Sequence, residues 1–530
     1  MRSGNAERAG MPFSTSRYSL IIAAIILSGC AVRLVACLNA CIVNPDGVVY
    51  IHQAGALYHG RLDALWAPGM SYLSIQPFFT AGAYFFIGDW LVSATGVSWF
   101  FGSAVLLPVF LLLRRFFDRP VTALGLLLFA VMPVFVDISC MVIKEPVAVF
   151  FAAFGLHFFL GHMEQGRLKL LLWSAVCFLL ASWARIESLM FLFVSMAFLF
   201  AAPRKKWTGF AVFLIPAVGI LAAVAALHPL TGIEAGEFLR SRKTLSFFGE
   251  MLMRYDSLRF SLKELALSEG RSTLGLYLAE TPNLLWFTSL GATTKCLVKA
   301  LFYAPALLFV VGLPRACRLA GADRRVFYLA AAAVGSLVVL YFHELTHWYI
   351  FPRYMTLPIL SAMFVLCCGV GSVVDFFHRR LKLREPIIVG LLAVCFVFMT
   401  LPKNLREREC DKVVFREIGE AAAAESGGGP VMVSASAPAQ RWVSFYANIE
   451  NPARFDGRIL DNHWEKFPKK KDLFISELRK RGINYILWNE RSWGEHRFPI
   501  REIFDFPGVR IVGEWSHPDT GGMILLKLTD

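Results

Sequence analysis

At 530 residues, with 56% hydrophobic and only 17% charged side chains, the chain is too apolar for an ordinary soluble enzyme. Its formal net charge of +14 would suggest nucleic acid as a partner in a soluble protein, but here the lysines and arginines stand in short clusters between apolar runs, as in a polytopic membrane protein. The eleven cysteines lie mostly inside apolar runs, with none after Cys410, so they read as small buried hydrophobes and not as a disulfide framework or zinc ribbon.

In chain order, a cytoplasmic tail over residues 1–17 carries Arg2, Arg8 and Arg17 and leads into an apolar run from Leu20 to Ile42. Leu27-Ser28-Gly29-Cys30 mimics a lipoprotein cleavage site, yet the apolar stretch continues past Cys30 far enough to cross a bilayer, so the run reads as an uncleaved anchor. A first outer loop over residues 38–90 opens with Asn44-Pro45-Asp46-Gly47; Val48 to His59 then has helical spacing, with Tyr50, His52, Gln53 and Tyr58 among apolar positions, and predicts a helix along the membrane surface. Tyr72 to Ile87 is apolar but short and contains Pro77, so it is read as re-entrant or interfacial. Further apolar runs follow at Leu91–Leu113, Val121–Val136, Val147–Leu160, Leu168–Trp183, Ser188–Ala202, Phe210–Leu227, Leu297–Leu313, Val326–Phe342, Met355–Val374 and Ile387–Leu401, which with the first make eleven spans in a transmembrane domain over residues 18–402.

Charge supports that count. With the N-terminus inside, the cytoplasmic loops contain Arg114, Arg115 and Arg119; Arg167 and Lys169; Arg204, Lys205 and Lys206; Arg315, Arg318, Arg324 and Arg325; and Arg379, Arg380, Lys382 and Arg384. The short outer loops hold only Arg61, Lys144, Arg185 and Arg353, the asymmetry of the positive-inside rule. Counting Tyr72 to Ile87 as a span would put every basic cluster outside. Two larger segments then fall on the outer face, residues 228–283 and an extracytoplasmic domain over residues 403–530. In the latter, Val431–Val433 and Tyr485–Leu487 read as strands, Leu473–Arg481 as a helix and Val509–Leu528 as a hairpin turning at Asp519-Thr520-Gly521-Gly522, which predicts a small α/β domain. Glu425 to Pro430 is a turn, since it lacks the Lys-Ser/Thr of a phosphate loop and precedes its strand.

The outer boundary collects the chemistry: Asp46, Asp137, Lys144-Glu145-Pro146, Trp183-Ala184-Arg185-Ile186-Glu187, and His343-Glu344-Leu345-Thr346-His347 running on to Arg353-Tyr354. A charge beside hydrocarbon needs a partner, and an anionic lipid headgroup suits Arg185 and Arg353, whose planar forks match phosphate, and Lys144 as a point charge. Ordinary interfacial pairs, Arg185 with Glu187 or Asp137 and Arg353 with Glu344, are the alternative for each residue alone; the ordered set with an unpaired Asp46 favours a site.

On these residues the chain resembles the GT-C superfamily of membrane glycosyltransferases, in particular the branch of protein O-mannosyltransferases and lipid A aminoarabinose transferases. The resemblance runs over Tyr18 to Pro402 and rests on Asp46 with Tyr50 in a long first outer loop, Glu145-Pro146 opening a span, the turn around Arg185, and Arg353-Tyr354 followed by Pro358. It implies a polyprenyl-phosphate-linked sugar donor, an envelope glycan, lipid or protein acceptor, no nucleic acid, and inverting transfer at the outer face of a bacterial inner membrane. It also implies Asp46 as the general base or as the acid organising a divalent cation, Glu145 as a second catalytic acid, and Tyr50, Lys144, Arg185, Arg353, Tyr354, His343 and Glu344 around the substrates. Where many relatives have two adjacent acids this chain has Asp46-Gly47, which puts metal dependence in doubt.

Two rivals stand beside this reading. His343-Glu344-Leu345-Thr346-His347 matches H-E-x-x-H, the zinc-protease pattern, but it lies at a span boundary with Pro352 close behind and no third ligand stands out nearby. A transporter would use a broken helix at Pro77, but charges deep in the spans are few and no inverted repeat is evident. In the C-terminal domain, Trp442, Tyr446, Trp464, Trp488 and Trp493 are candidates for stacking on sugars, with a packed core as the plainer reading.

Overall fold

The computed structural model describes residues 15–61, 64–65, 72–201, 206–231, 247–449, 451, 459–460, 462–493, 498–504 and 506–529; Arg2, Arg8, Arg204 and Lys205 of the basic clusters lie outside them. Among the described residues seven helices are long and apolar enough to cross a membrane: Ser16–Leu38, Trp90–Leu113, Glu145–Gln165, Ala304–Ala322, Arg324–His347, Pro352–Leu381 and Glu385–Leu405. Arg119–Val131 and Pro133–Cys140 make one more, bent by 47°, because Met132 precedes a proline and leaves the helical region (ψ 121°). The shorter apolar helices Leu168–Ala184, Ile186–Phe200 and Trp207–Ala223 fall on the remaining predicted runs. The protein is a multi-pass membrane protein with a small C-terminal sheet.

The chain forms two compact units. The first comprises Met1–Ala31, Gly102–Val136 and Glu145–Lys403. Within it the Thr356–Leu381 helix is buried along most of its length, and Ala304–Ala322 packs on it backbone to backbone. A Cβ on Gly312 would lie 2.1 Å from the Val365 carbonyl oxygen, and one on Gly369 2.0 Å from that of Leu308, so this close crossing needs glycine on both sides. The expected span Leu297–Leu313 is corrected: Phe302 and Tyr303 take left-handed backbone (φ 60° and 59°) and separate Thr273–Ala300 from Ala304–Ala322. The described part of the expected outer loop 228–283 is largely helical, with Phe247–Glu269 followed by Thr273–Ala300, whose start is capped by Ser272 Oγ accepting from Gly275 N at 3.0 Å.

The second unit comprises Val32–Phe101, Asp137–Lys144 and Asn404–Asp530, so the loop after the first span belongs with the C-terminal domain. The expected surface helix is Pro45–Tyr58, with Pro45 in its first turn. Pro77 also initiates a helix, Gln76–Ile87, instead of interrupting one, and Gly88 ends it at φ 76°. The domain's sheet has strands β1 (Val433–Ser434), β2 (Tyr485–Asn489), β3 (Val509–His517) and β4 (Gly521–Leu528) in the order β1-β2-β4-β3, with β1 parallel to β2 and the other pairs antiparallel. Alternation along β2 explains the layers. Tyr485 and Leu487 face a core with the Val413–Ser426 and Ala437–Ala447 helices, and Ile486 faces one with Lys471–Lys480.

One disulfide corrects the reading of the cysteines: Cys41 is bonded to Cys410 across 369 residues, with Cα atoms 5.0 Å apart. It ties the loop after the first span to the start of the C-terminal domain, beside a parallel bridge between Ala40 and Arg408. Peptide mapping of non-reduced protein is expected to recover the Cys41 and Cys410 peptides linked, and Cys410→Ser to lower the thermal midpoint, a native disulfide contributing about 2–4 kcal/mol. Recovery of both cysteines as free thiols would contradict the linkage.

Candidate active site

In the first unit the sequence candidates Glu145, Arg185, Arg353, Tyr354 and His343 form one cluster. Arg185 ends the Leu168–Ala184 helix in extended backbone (φ −142°, ψ 116°), which aims its side chain away from that helix's axis, and it is 2% exposed. Its Nη1 donates to Glu145 Oε1 at 2.9 Å, and Nη2 and Nε donate to Glu187 Oε1 and Oε2 at 2.8 and 3.1 Å. Burial works against its charge, but Glu187 and Glu145 outweigh it and hold the guanidinium above its ordinary range. Asp137, considered as a partner from the sequence, instead accepts from Arg408 Nη2 at 2.9 Å in the second unit.

Arg353 lies in the short helix Pro352–Met355 that opens the Pro352–Leu381 span, after Trp348 has closed the preceding helix in left-handed backbone (φ 57°). Its Nε is 3.9 Å from Glu145 Oε1, a different acid from the Glu344 of the alternative ordinary pair. Tyr354 serves both cations, its ring centroid 4.5 Å from the Arg185 guanidinium carbon and 5.6 Å from that of Arg353. His343 meets the Tyr354 ring edge-on at 5.6 Å and stacks on His347 at 4.5 Å. His343 Nε2 and Glu344 Oε2 are buried without a hydrogen-bond partner, which marks polar capacity that a ligand could satisfy. Among the described residues no group of three or more His, Cys, Asp and Glu is arranged to hold a metal ion, so His343 and His347 have no third ligand there.

Asp46 lies in the second unit, in the first turn of Pro45–Tyr58, where a carboxylate complements the helix dipole. Its side chain is 42% exposed and, contrary to the expectation of an unpaired acid, lies 3.6 Å from Arg441 Nη1. The chain just before it is clamped: Asn44 Oδ1 accepts from Val142 N at 2.8 Å, and Asn44 Nδ2 donates to Val142 O at 3.3 Å. The glycine at position 47 has a packing reason, because a Cβ there would sit 2.8 Å from both Val142 Cβ and Val43 Cγ2. Tyr50 packs half-buried against Ile51, Ala54 and Trp90, and Lys144 Nζ lies 5.0 Å over the Tyr72 ring. Beside Asn44 is a cavity of about 570 Å³ lined by Asp137, Arg408, Glu409, Arg416 and Tyr446 among others.

Solved structures share this arrangement of elements. ArnT from Cupriavidus metallidurans bound to undecaprenyl phosphate superposes with a TM-score of 0.59 at 11% identity, covering 97% of this chain and 98% of that one; its apo form gives 0.54 at 10% identity with the same coverage. The archaeal oligosaccharyltransferase AglB from Archaeoglobus fulgidus, in complex with an inhibitory peptide and a dolichol-phosphate, gives 0.54 at 13% identity, covering 95% of this chain and 74% of that one. The chain has the GT-C fold. No protein-family model matches the sequence, and no curated protein matches it.

Three contacts of this loop were not read from the sequence: Arg441 with Asp46, Trp442 with Val43, and the Cys41–Cys410 disulfide. Trp442 and Trp464 are 4% and 1% exposed and Tyr446 is buried, so these aromatics are core and not open stacking platforms. Trp488 and Trp493 are partly buried against the second core of the same domain.

Proposed function

We propose that this protein is a polyprenyl-phosphate-sugar-dependent glycosyltransferase, a hexosyl- or pentosyltransferase working at the outer face of a bacterial inner membrane with its N-terminus cytoplasmic. The observation that carries the reading is the Arg185–Arg353–Tyr354 cluster on a GT-C fold: two guanidiniums at span ends, held on one tyrosine ring. Three of Arg185's five donors are taken by carboxylates, which makes it the brace of the cluster. Arg353, the more exposed of the two, is the better placed to receive the donor phosphate.

In the proposed single displacement, Asp46 accepts the proton of an acceptor hydroxyl as its oxygen attacks the anomeric carbon from the side opposite the phosphate. The bond from that carbon to the phosphate oxygen breaks with inversion. The electron pair leaves on the polyprenyl phosphate, whose negative charge Arg353 stabilises. Glu145 holds both arginines in register and acts through them. Around Asp46 the donor set does not fit a divalent cation, since its ionic partner is Arg441 and Gly47 has no room for a second acid, so no step is routed through a metal. The cavity beside Asn44, lined by carboxylates and guanidiniums together, suits the hydroxyls of an acceptor glycan, which both donate and accept. The Cys41–Cys410 disulfide supports an oxidising, extracytoplasmic setting for the second unit.

Arg353→Gln is expected to weaken undecaprenyl phosphate binding to the purified protein by about tenfold or more, since a hydrogen bond to a charged group is worth about 1.5–3 kcal/mol. Titration followed by thermal shift measures this, and wild-type affinity in the variant would remove Arg353 from the phosphate site.

A further inference from the structure

We infer that the C-terminal domain is part of the catalytic apparatus, with Trp442, Tyr446 and Arg441, all on its Ala437–Ala447 helix, acting as positioning residues for Asp46. The inference rests on the reading of Asp46 as the general base and adds a role for the domain that carries no reacting group itself.

Cys41, Ile42, Val43 and Asn44, which lead toward Asp46, are each held by other parts of this unit. Cys41 is bonded to Cys410 at the domain's start. Ile42 and Val48, on either side of the acid, are buried in the same core as Phe415, Trp442 and Leu525 of the domain. Both backbone polar groups of Val43 are taken by side chains of one helix: Trp442 Nε1 donates to Val43 O at 2.6 Å, and Val43 N donates to Tyr446 Oη at 3.3 Å. Asn44 binds Val142 through both its amide oxygen and its amide nitrogen, and Gly47 closes against the same residue. Arg441, next in sequence to Trp442, then meets the carboxylate itself at 3.6 Å.

This arrangement is more than a domain resting on a loop. An exposed ion pair such as Asp46–Arg441 adds little stability, so its value is in directing the carboxylate. Backbone hydrogen bonds to a strand-like segment can come from any neighbouring strand, yet here two large side chains supply them, three residues before the acid. A general base works only when held within hydrogen-bond reach of the proton it takes, and a misplacement of about 1 Å costs about a hundredfold in rate.

The test uses the full-length protein in lipid nanodiscs, with polyprenyl-phosphate-linked sugars extracted from the producing cells as donor and the envelope fraction of a deletion strain as acceptor. Trp442→Phe keeps an aromatic ring against Phe415 but removes the Nε1–H together with part of the buried indole, whereas Tyr446→Phe removes only the hydroxyl. The double variant is expected to lose about tenfold or more in kcat with donor KM unchanged, beyond a modest fall in thermal midpoint from the smaller ring, and Tyr446→Phe alone to lower kcat with little change in midpoint. Arg441→Gln, at a half-exposed position that does not threaten folding, is expected to lower kcat likewise, and Arg441→Lys to restore most of it. Unchanged kcat in the double variant and in Arg441→Gln, with Asp46→Asn inactive, would overturn the positioning role while leaving the transferase reading in place. Full activity of Asp46→Asn would overturn both.

Discussion

Asp46→Asn is expected to abolish sugar transfer while leaving the protein inserted and as stable as the wild type. The two side chains have the same shape, and the position is half-exposed, so no packing is lost and the contact with Arg441 adds little to stability. An amide cannot accept the proton of the acceptor hydroxyl, and losing a positioned general base costs about 10²–10⁴-fold in rate. Stability and chemistry therefore separate at this residue, as they do not at a core position. Transfer by the variant within a few-fold of wild type would remove Asp46 from the reaction, whatever the fold.

Arg185→Gln behaves in the opposite way. Arg185 and Glu145 are 2% and 3% exposed, and Glu187 shares the same guanidinium. Removing the arginine leaves Glu145 buried with Arg353 Nε 3.9 Å away as its remaining cationic neighbour here, and breaking a buried pair in this way costs about 3–5 kcal/mol. The variant should thus show a lower thermal midpoint and a lower yield of folded protein, with activity falling alongside. Arg185→Lys should recover only part of the loss, because a single ammonium cannot reproduce the two parallel contacts to Glu187 together with the one to Glu145. An Arg185→Gln protein as stable as wild type but unable to bind donor would instead make Arg185 a direct phosphate ligand. Thermal unfolding followed by tryptophan fluorescence distinguishes the two.

The membrane part of this fold is legible because hydrocarbon thickness sets the length of apolar runs: the predicted runs carry observed apolar helices except Leu297–Leu313, which is divided between two helices. The interruption at Phe302 and Tyr303 was not legible, since neither residue is a glycine or proline and their left-handed backbone has no local signature. In the C-terminal domain, alternation and turn residues placed the β3–β4 hairpin and the Lys471–Lys480 helix closely. For the candidate site, what could be read was local. The pairing of Arg185 with Glu187, two residues apart, was anticipated, whereas its bond to Glu145 spans 40 residues and depends on how helices pack. The contacts that fix Asp46 join residues 399 and 369 apart, so the partners are set by tertiary structure alone. One signal for the disulfide was present in hindsight: Cys41 ends the first apolar run and Cys410 follows the last one, on what the charge pattern makes the same face.

The proposed chemistry has two cellular consequences, accumulation of a lipid-linked donor and loss of a sugar from the envelope. Mass spectrometry of polyprenyl-phosphate-linked sugars and of envelope glycans, glycolipids and glycoproteins from a deletion strain reads both at once. On the proposed chemistry, one polyprenyl-phosphate sugar is expected to rise and one envelope glycoform to disappear, with both restored by the wild-type gene and neither by one encoding Asp46→Asn. Lipid-linked sugar and envelope profiles indistinguishable from the parent strain would contradict it.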